Sequence, residues 1–125
     1  KMEAFKIILS NRTKQKAEDL KKFYPDLEII DWGQIIDFDM IINATSVGLK
    51  NNDQIQLDLR KVGKGKLFYD VIYNPIKTNF LLEGEKKGNQ TENGKMMFIY
   101  QAHQAFTIWH KILPDLDDKT IRLLD

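Results

Sequence analysis

The sequence predicts an α/β fold, a parallel sheet with helices on both of its faces. Short apolar runs rich in β-branched residues alternate with segments of helical length, and several of these runs lack the polar alternation of a half-exposed strand. The chain has 125 residues, the size of one small domain. We therefore expect ligands to bind just beyond the carboxyl ends of the strands, as they do in other sheets of this class.

The individual elements follow from local signals. Thr13 and Thr78 precede helical stretches and are expected to cap them, because a threonine hydroxyl can accept a hydrogen bond from a free backbone N–H. Pro25 interrupts the first helical pattern, and Gly88 suits the position after the second. The predicted strands cover residues 5–10, 27–30, 39–43 and 66–72, with a short extended piece at 90–92; the predicted helices cover residues 14–24, 79–87, 94–109 and 116–124.

The helix predicted at residues 94–109 stands out because it is apolar and aromatic on nearly every face. Such a helix is expected to be buried. Met97, Gln101 and Gln104 follow spacings of three and four, so they share one face. A buried amide needs hydrogen-bond partners, which for Gln101 would be either a polar ligand or a neighbouring backbone group. The pattern leaves both open.

Composition narrows the classes of partner. The net charge is +1, so bulk charge predicts neither a nucleic-acid nor a membrane partner, and no apolar run approaches the roughly 20 residues of a membrane span. The chain has no cysteine, and its two histidines lie seven residues apart, so no metal site is expected. The absence of cysteine and of a signal peptide fits the cytoplasm.

Three polar segments directly follow predicted strands, at residues 11–13, 43–46 and 71–73. Parallel strands bring such segments to one edge of the sheet. In dinucleotide-binding folds an acid after the second strand selects a free ribose 2′-hydroxyl, whereas an arginine accommodates a 2′-phosphate. Arg12, supported by Lys16 one helical turn later, therefore favours NADP over NAD. The alternative is an ordinary helix start with a surface arginine.

Taken in order, the motifs closely resemble the C-terminal, NADP-binding domain of shikimate dehydrogenase. They are Asn11-Arg12-Thr13, Asn43-Ala44-Thr45-Ser46-Val47-Gly48, Tyr69-Asp70-Val71-Ile72-Tyr73-Asn74-Pro75 with Thr78, Gly94-Lys95-Met96-Met97, and Gln101-Ala102-His103-Gln104-Ala105-Phe106 with Trp109. The resemblance covers nearly the whole chain and implies a Rossmann-like domain. It also implies the reversible, NADPH-dependent reduction of 3-dehydroshikimate to shikimate, a step of aromatic amino-acid biosynthesis.

The resemblance assigns three groups of binding residues. The adenosine 2′-phosphate end would be held by Asn11, Arg12, Thr13 and Lys16. The remainder of the cofactor, including the nicotinamide, would meet Thr45, Val71, Gly94 and Met97. The small-molecule substrate would be reached by Tyr73 and Gln101. The chain departs from the family at Lys16, where arginine is frequent, and at Val71, where other members carry methionine.

Two parts of the family's pattern are missing from these 125 residues. No G-x-G-x-x-G phosphate loop, and no strand preceding one, is found before Phe5. The family's catalytic lysine and aspartate lie in an N-terminal substrate domain, so no catalytic residue is assigned in this chain. We therefore expect a partial Rossmann-like domain, residues 1–125, that lacks its first strand and glycine-rich loop, represents the last part of a longer enzyme, and is inactive alone.

Removal of the central first strand would leave two unpaired strand edges. The chain is then expected to be unstable, dimeric, or completed by the missing N-terminal part. The alternative functions are a non-catalytic nucleotide-binding or interaction module derived from the family, and a quinate/shikimate dehydrogenase paralogue. Arg12 argues against the paralogue, because an acid at that position would have favoured it.

Overall fold

The computed structural model describes residues 6–50 and 52–123. The chain divides into two compact units. The first unit comprises residues 1–37 and 56–62, and the second unit comprises residues 38–55 and 63–125. Each unit has its own parallel sheet, so the α/β class with parallel strands is confirmed.

The first unit is a strand–helix–strand arrangement. Strand β1 (Ile8–Ser10) pairs in parallel with β2 (Glu28–Ile30), and helix α1 (Lys14–Lys21) connects them. A short 3₁₀ turn lies at Leu59–Lys61. Of the side chains on α1, Ala17 is the buried one.

Helix α1 is shorter than predicted. It ends at Lys21, and the N–H groups of Phe23 and Tyr24 both donate to the carbonyl of Leu20 in a terminal turn. Proline disfavours helical geometry in the residue before it, which explains why the helix stops ahead of Pro25. Phe23 and Tyr24 follow the helix and are 79% and 60% exposed.

The second unit contains a three-stranded parallel sheet in the order β3-β4-β5. The strands are β3 (Met40–Asn43), β4 (Leu67–Asp70) and β5 (Gln90–Glu92), and the helices are α2 (Asn79–Lys86), α3 (Lys95–His110) and α4 (Asp118–Arg122). The register pairs Asn43 with Asp70, so two polar side chains end neighbouring strands. The strand and helix order agrees with the prediction.

The core of the second unit lies between β4 and α2. Phe68 is completely buried, with its ring centroid 5.2 Å from that of Phe80 and 5.8 Å from that of Phe38. A Cβ added at Gly84 would lie 2.7 Å from Cγ of Phe68, so the glycine allows α2 to approach β4 closely. The Thr78 hydroxyl accepts a bond from the N–H of Leu81, which confirms the predicted cap.

Helix α3 is not buried, and this prediction was wrong. Among the described residues of the helix, Ile99 is the one buried residue, whereas Tyr100 and Trp109 are 57% and 77% exposed and Gln101 is exposed. A helix that is apolar all round is buried only where other elements cover each face, and the described chain covers the face of Ile99. No helix in residues 6–50 or 52–123 is long and apolar enough to cross a bilayer.

Candidate cofactor-binding site

The segment after β1 forms a tight turn into α1. The side-chain Oδ1 of Asn11 accepts a hydrogen bond of 2.8 Å from the N–H of Thr13, and the Thr13 carbonyl accepts one of 3.0 Å from the N–H of Lys16. Thr13 occupies the N-cap position, but its side chain makes no capping bond, so the predicted role of its hydroxyl was wrong. The Asn11 side chain organises this turn instead, as asparagine often does two residues before a turn amide.

The cations near this turn differ in how they are compensated. Lys14 lies 2.7 Å from an oxygen of Asp31, and this hydrogen bond raises the pKa of Lys14. Lys22, at the other end of α1, lies 2.7 Å from Asp19. Arg12 and Lys16 are both exposed, and neither has an acidic partner within ion-pair distance in residues 6–50 and 52–123. Two uncompensated cations therefore flank the first turn of α1, where the helix dipole also favours an anion.

A second group of predicted residues lies at the carboxyl ends of β3 and β4, within the second unit. Asn43 is 3% exposed, and its Nδ2 donates to both carboxylate oxygens of Asp70 at 3.1 Å and to the Val47 carbonyl at 2.9 Å. Its Oδ1 accepts bonds from the N–H and the hydroxyl of Thr45, at 3.1 Å and 2.8 Å. The Asn43 side chain therefore fixes the loop that contains Thr45.

The same loop carries a glycine in a conformation that other residues rarely adopt. Gly48 has φ +119°, and a Cβ there would lie 3.2 Å from both Ile72 and Thr78. Its N–H donates to a carboxylate oxygen of Asp53 at 3.3 Å. Gly48 therefore lets the loop turn close to the segment that follows β4.

Backbone hydrogen bonds hold Val71 and Gly94 at the segment that follows β4. The N–H of Val71 donates to the Asn43 carbonyl, and the N–H of Gly94 donates to the Ile72 carbonyl, each at 3.1 Å. A Cβ at Gly94 would overlap the carbonyl group of Val71. Only glycine permits this approach of the α3 start to the β4 end.

The predicted substrate residues lie on this side of the second unit. The Tyr73 ring is stacked on Phe98, with a centroid distance of 4.6 Å and an interplanar angle of 23°. Met97 is 42% exposed, and Gln101, one turn further along α3, is exposed as well. The Asn93 side chain accepts a bond from the N–H of Lys95 and so fixes the beginning of α3.

The structure thus links three of the predicted residues, Thr45, Val71 and Gly94, through one set of hydrogen bonds within the second unit. The four residues predicted for the 2′-phosphate end all lie in the first unit. Sequence reasoning assigned no binding or positioning role to Asn43 or Asp70. The signal that was available is a polar residue at the end of each of two apolar strands.

The chain is similar to known proteins along its whole length. It is 62% identical over 125 residues to a shikimate dehydrogenase (NADP(+)) from Pelagibacter ubique, strain HTCC1062, and covers 47% of that protein. It is 43% identical over 121 residues to the shikimate dehydrogenase (NADP(+)) of Caldicellulosiruptor saccharolyticus and covers 43% of it. The chain therefore spans less than half the length of these relatives. A comparison with protein-family models found no match.

Solved structures show the same relationship. The shikimate 5-dehydrogenase of Thermus thermophilus, in complex with NADP(H) and shikimate, matches 96% of the chain with a TM-score of 0.80 and 27% identity, and 46% of that protein is covered. A 5-ketofructose reductase from Gluconobacter sp. strain CHM43 matches 97% of the chain with a TM-score of 0.81 and 29% identity, with 47% of it covered. The resemblance drawn from the motifs is confirmed: over its full length, this chain is homologous to part of the shikimate dehydrogenase polypeptide.

Proposed function

We propose that this chain forms the NADP-binding part of a shikimate dehydrogenase, which reversibly reduces 3-dehydroshikimate to shikimate with NADPH. The observation that carries the proposal is the pair of uncompensated cations, Arg12 and Lys16, at the start of α1. A dianionic phosphate at that place would compensate these two positive charges, which no acidic side chain of the described residues balances. The proposal also includes a step of aromatic amino-acid biosynthesis and a location in the cytoplasm.

The first unit would hold the 2′-phosphate end of the cofactor. Arg12 offers a planar pair of N–H donors, and Lys16 adds a point charge. The Asn11 side chain shapes the turn. The Thr13 hydroxyl makes no capping bond and would hydrogen-bond to the phosphate. Lys14 contributes less, because Asp31 already compensates it.

The second unit would hold the nicotinamide half. NADPH supplies a hydride when it is bound; the chain's own residues bind and orient it. Gly94 presents backbone without a side chain, Val71 and Met97 present apolar surface, and Thr45 is held in place by Asn43. Apolar groups suit a ring face, so Val71 and Met97 fit the proposed nicotinamide.

Tyr73 and Gln101 would contact the substrate, a hydroxylated ring acid. The phenol and the amide can both hydrogen-bond to a polyol, and the stacking on Phe98 orients the phenol. We assign no acid–base residue in this chain. Proton transfer would depend on a lysine and an aspartate supplied by a substrate domain.

The experiment that tests the proposal is a calorimetric titration with NADP+, NAD+ and 2′,5′-ADP. It is performed on the whole natural polypeptide that carries these residues and on the 125-residue chain. We expect NADP+ and 2′,5′-ADP to bind and NAD+ to bind more weakly. Equal affinity for NAD+ and NADP+ would contradict the role of Arg12 and Lys16.

A second candidate is a reductase for another keto-polyol, which the similarity to the 5-ketofructose reductase favours. The two candidates share the proposed cofactor site and differ in substrate. Assay of the whole polypeptide with NADPH and either 3-dehydroshikimate or 5-ketofructose separates them. A polypeptide that binds NADP+ and reduces neither compound would support the non-catalytic alternative.

A further inference from the structure

The carboxylate of Asp70 is the most completely enclosed charged group in the described part of the second unit. Its residue has no exposed surface, and it ends strand β4. One of its oxygens accepts a 3.0 Å bond from the N–H of Ile72, and the other accepts a 2.6 Å bond from the Thr78 hydroxyl. The Asn43 amide donates to both oxygens at 3.1 Å. Every one of these partners is a donor, so the site is built for an acceptor.

One arm of this network reaches the loop after β3. Asp70 fixes the Nδ2 side of the Asn43 amide, and this leaves Oδ1 pointing to the N–H and hydroxyl of Thr45. The Thr45 hydroxyl in turn accepts a 3.1 Å bond from the N–H of Val47. If the Asn43 amide were turned over, its NH₂ group would face the N–H of Thr45, and its oxygen would face the Asp70 carboxylate and the Val47 carbonyl, which are acceptors. The orientation of Thr45 therefore depends on a group in another strand.

The other arm reaches the segment after β4. The bond from the Ile72 N–H to Asp70 sets the backbone turn at residues 71–72. The carbonyl of Ile72 then accepts a hydrogen bond from the N–H of Gly94. The carbonyl of Val71 occupies the space that a Cβ on Gly94 would need. The positions of Val71 and Gly94 are thus tied to the same carboxylate.

We propose that Asp70 is the positioning residue of the nicotinamide half of the site. Its carboxylate holds Thr45 through Asn43, and Val71 and Gly94 through Ile72, without itself touching the cofactor. This inference rests on the proposed function. It concerns one half of the cofactor site only, because the residues proposed for the 2′-phosphate end lie in the first unit.

Asp70→Asn is the decisive substitution, because it keeps the size of the side chain and replaces one acceptor with a donor. The new NH₂ group must face the amide of Asn43, the hydroxyl of Thr78 or the N–H of Ile72, all of which donate to the native carboxylate. At least one buried donor then loses its acceptor. We expect the loop and the turn to lose their fixed geometry.

The experiment measures the affinity of the whole polypeptide for two ligands by calorimetry. NADP+ carries both the nicotinamide and the 2′-phosphate, whereas 2′,5′-ADP carries only the 2′-phosphate end. For Asp70→Asn we expect the Kd for NADP+ to rise about tenfold or more, and the Kd for 2′,5′-ADP to stay within about twofold of the native value. The matched control is Asp115→Asn, an exposed carboxylate whose removal should change neither affinity.

A second pair of variants covers the case in which Asp70→Asn does not fold. Thr78→Val removes the hydroxyl that donates to Asp70, whereas Thr78→Ser retains it. We expect Thr78→Val to weaken NADP+ binding several-fold, Thr78→Ser to bind like the native protein, and both to bind 2′,5′-ADP unchanged.

The outcomes separate this inference from the function on which it rests. If the native protein binds neither ligand, the proposed function fails and the inference fails with it. If the native protein binds both, unchanged NADP+ binding in Asp70→Asn and Thr78→Val overturns the positioning role alone. Equal loss of both ligands in a folded variant also overturns it, because this would show a general structural effect.

Discussion

At the scale of single residues, the described chain separates compensated from uncompensated cations. Lys14 and Lys22 have carboxylate partners at 2.7 Å, while Arg12 and Lys16 have none within residues 6–50 and 52–123. The distinction is invisible in the sequence, because all four residues fall within one basic stretch. Only the folded positions of Asp31 and Asp19 show which charges remain for a ligand.

Arg12→Gln is expected to raise the Kd for NADP+ about tenfold and to leave the Kd for NAD+ nearly unchanged. The guanidinium would contact the 2′-phosphate, and a charge-assisted hydrogen bond contributes about 1.5–3 kcal/mol, with the lower end applying to an exposed group. Fluorescence or calorimetric titration of both cofactors measures the difference. Lys22→Gln serves as the control at the far end of α1. An equal loss of affinity for NAD+ and NADP+ would show that Arg12 does not bind the 2′-phosphate.

Asp58 offers a test of local electrostatics in the first unit. Hydrogen bonds from the Arg60 side chain and backbone lower the pKa of Asp58 to about 2. The folded pKa lies below the ordinary value, so its contribution to stability is present above about pH 4 and is lost as the pH falls through about 2. Arg60→Gln should return the pKa of Asp58 toward about 3.9, as followed by NMR titration of its carboxyl carbon.

The control for that titration is Asp19, whose pKa is lowered by Lys22 and Gln15 on helix α1. It should titrate identically in the native protein and in Arg60→Gln. An Asp58 pKa that stays near its native value in the variant would show that the guanidinium is not the main cause of the shift.

At the scale of elements, the packing of α2 on β4 depends on the absence of a side chain at Gly84. At an exposed position inside a helix, Gly→Ala raises the free energy of unfolding by about 1 kcal/mol. Here the added Cβ would lie 2.7 Å from the fully buried ring of Phe68, so the ring or the helix would have to shift. We expect Gly84→Ala to reduce the free energy of unfolding by about 1–3 kcal/mol, measured by urea denaturation.

Gly63→Ala is the matched control, because a Cβ there has no neighbour within 4 Å. Its free energy of unfolding should be equal to or slightly above that of the native protein. Destabilisation by both variants to the same extent would rule out the contact with Phe68 as the reason.

The sequence predicted the elements well where a local signal decides them. Thr78 caps α2, Gly88 follows it with φ +76°, and the strands appear in the predicted order. The burial of α3 was predicted wrongly, because its apolar surface does not reveal which faces other elements cover. The bond between Asn43 and Asp70 was not predicted, because it depends on the register between β3 and β4.

At the scale of the whole molecule, much apolar surface remains exposed near the end of α3 and beyond it. Ile108, Trp109 and Leu113 are 71%, 77% and 69% exposed. Exposed apolar surface of this kind indicates a contact with further protein. On that basis we propose that the chain associates with other protein, and the expectation of a dimer or of completion by a further part stays a prediction.

The 125-residue chain is therefore expected to increase in average mass with concentration in sedimentation equilibrium, and its melting temperature should rise in parallel. Trp109→Lys should weaken the association, because a charge on the contact surface opposes burial. The comparison variant is Phe23→Lys, which changes an exposed aromatic residue of the first unit and should leave the association unchanged. A monomer with a sharp, concentration-independent melt would contradict the proposal.

Strand β4 is hydrogen-bonded on both sides, to β3 and to β5, while each of these two strands has one strand partner among the described residues. Its amide groups should therefore exchange with deuterium more slowly than those of any other segment described in the second unit, because they are released only when the sheet itself opens. The amide of Ile72, bonded to the buried carboxylate of Asp70, should share this slow exchange although it lies outside the strand. Equally slow deuterium uptake at these amides would show that the end of β4 and the turn after it open together, as one cooperative unit.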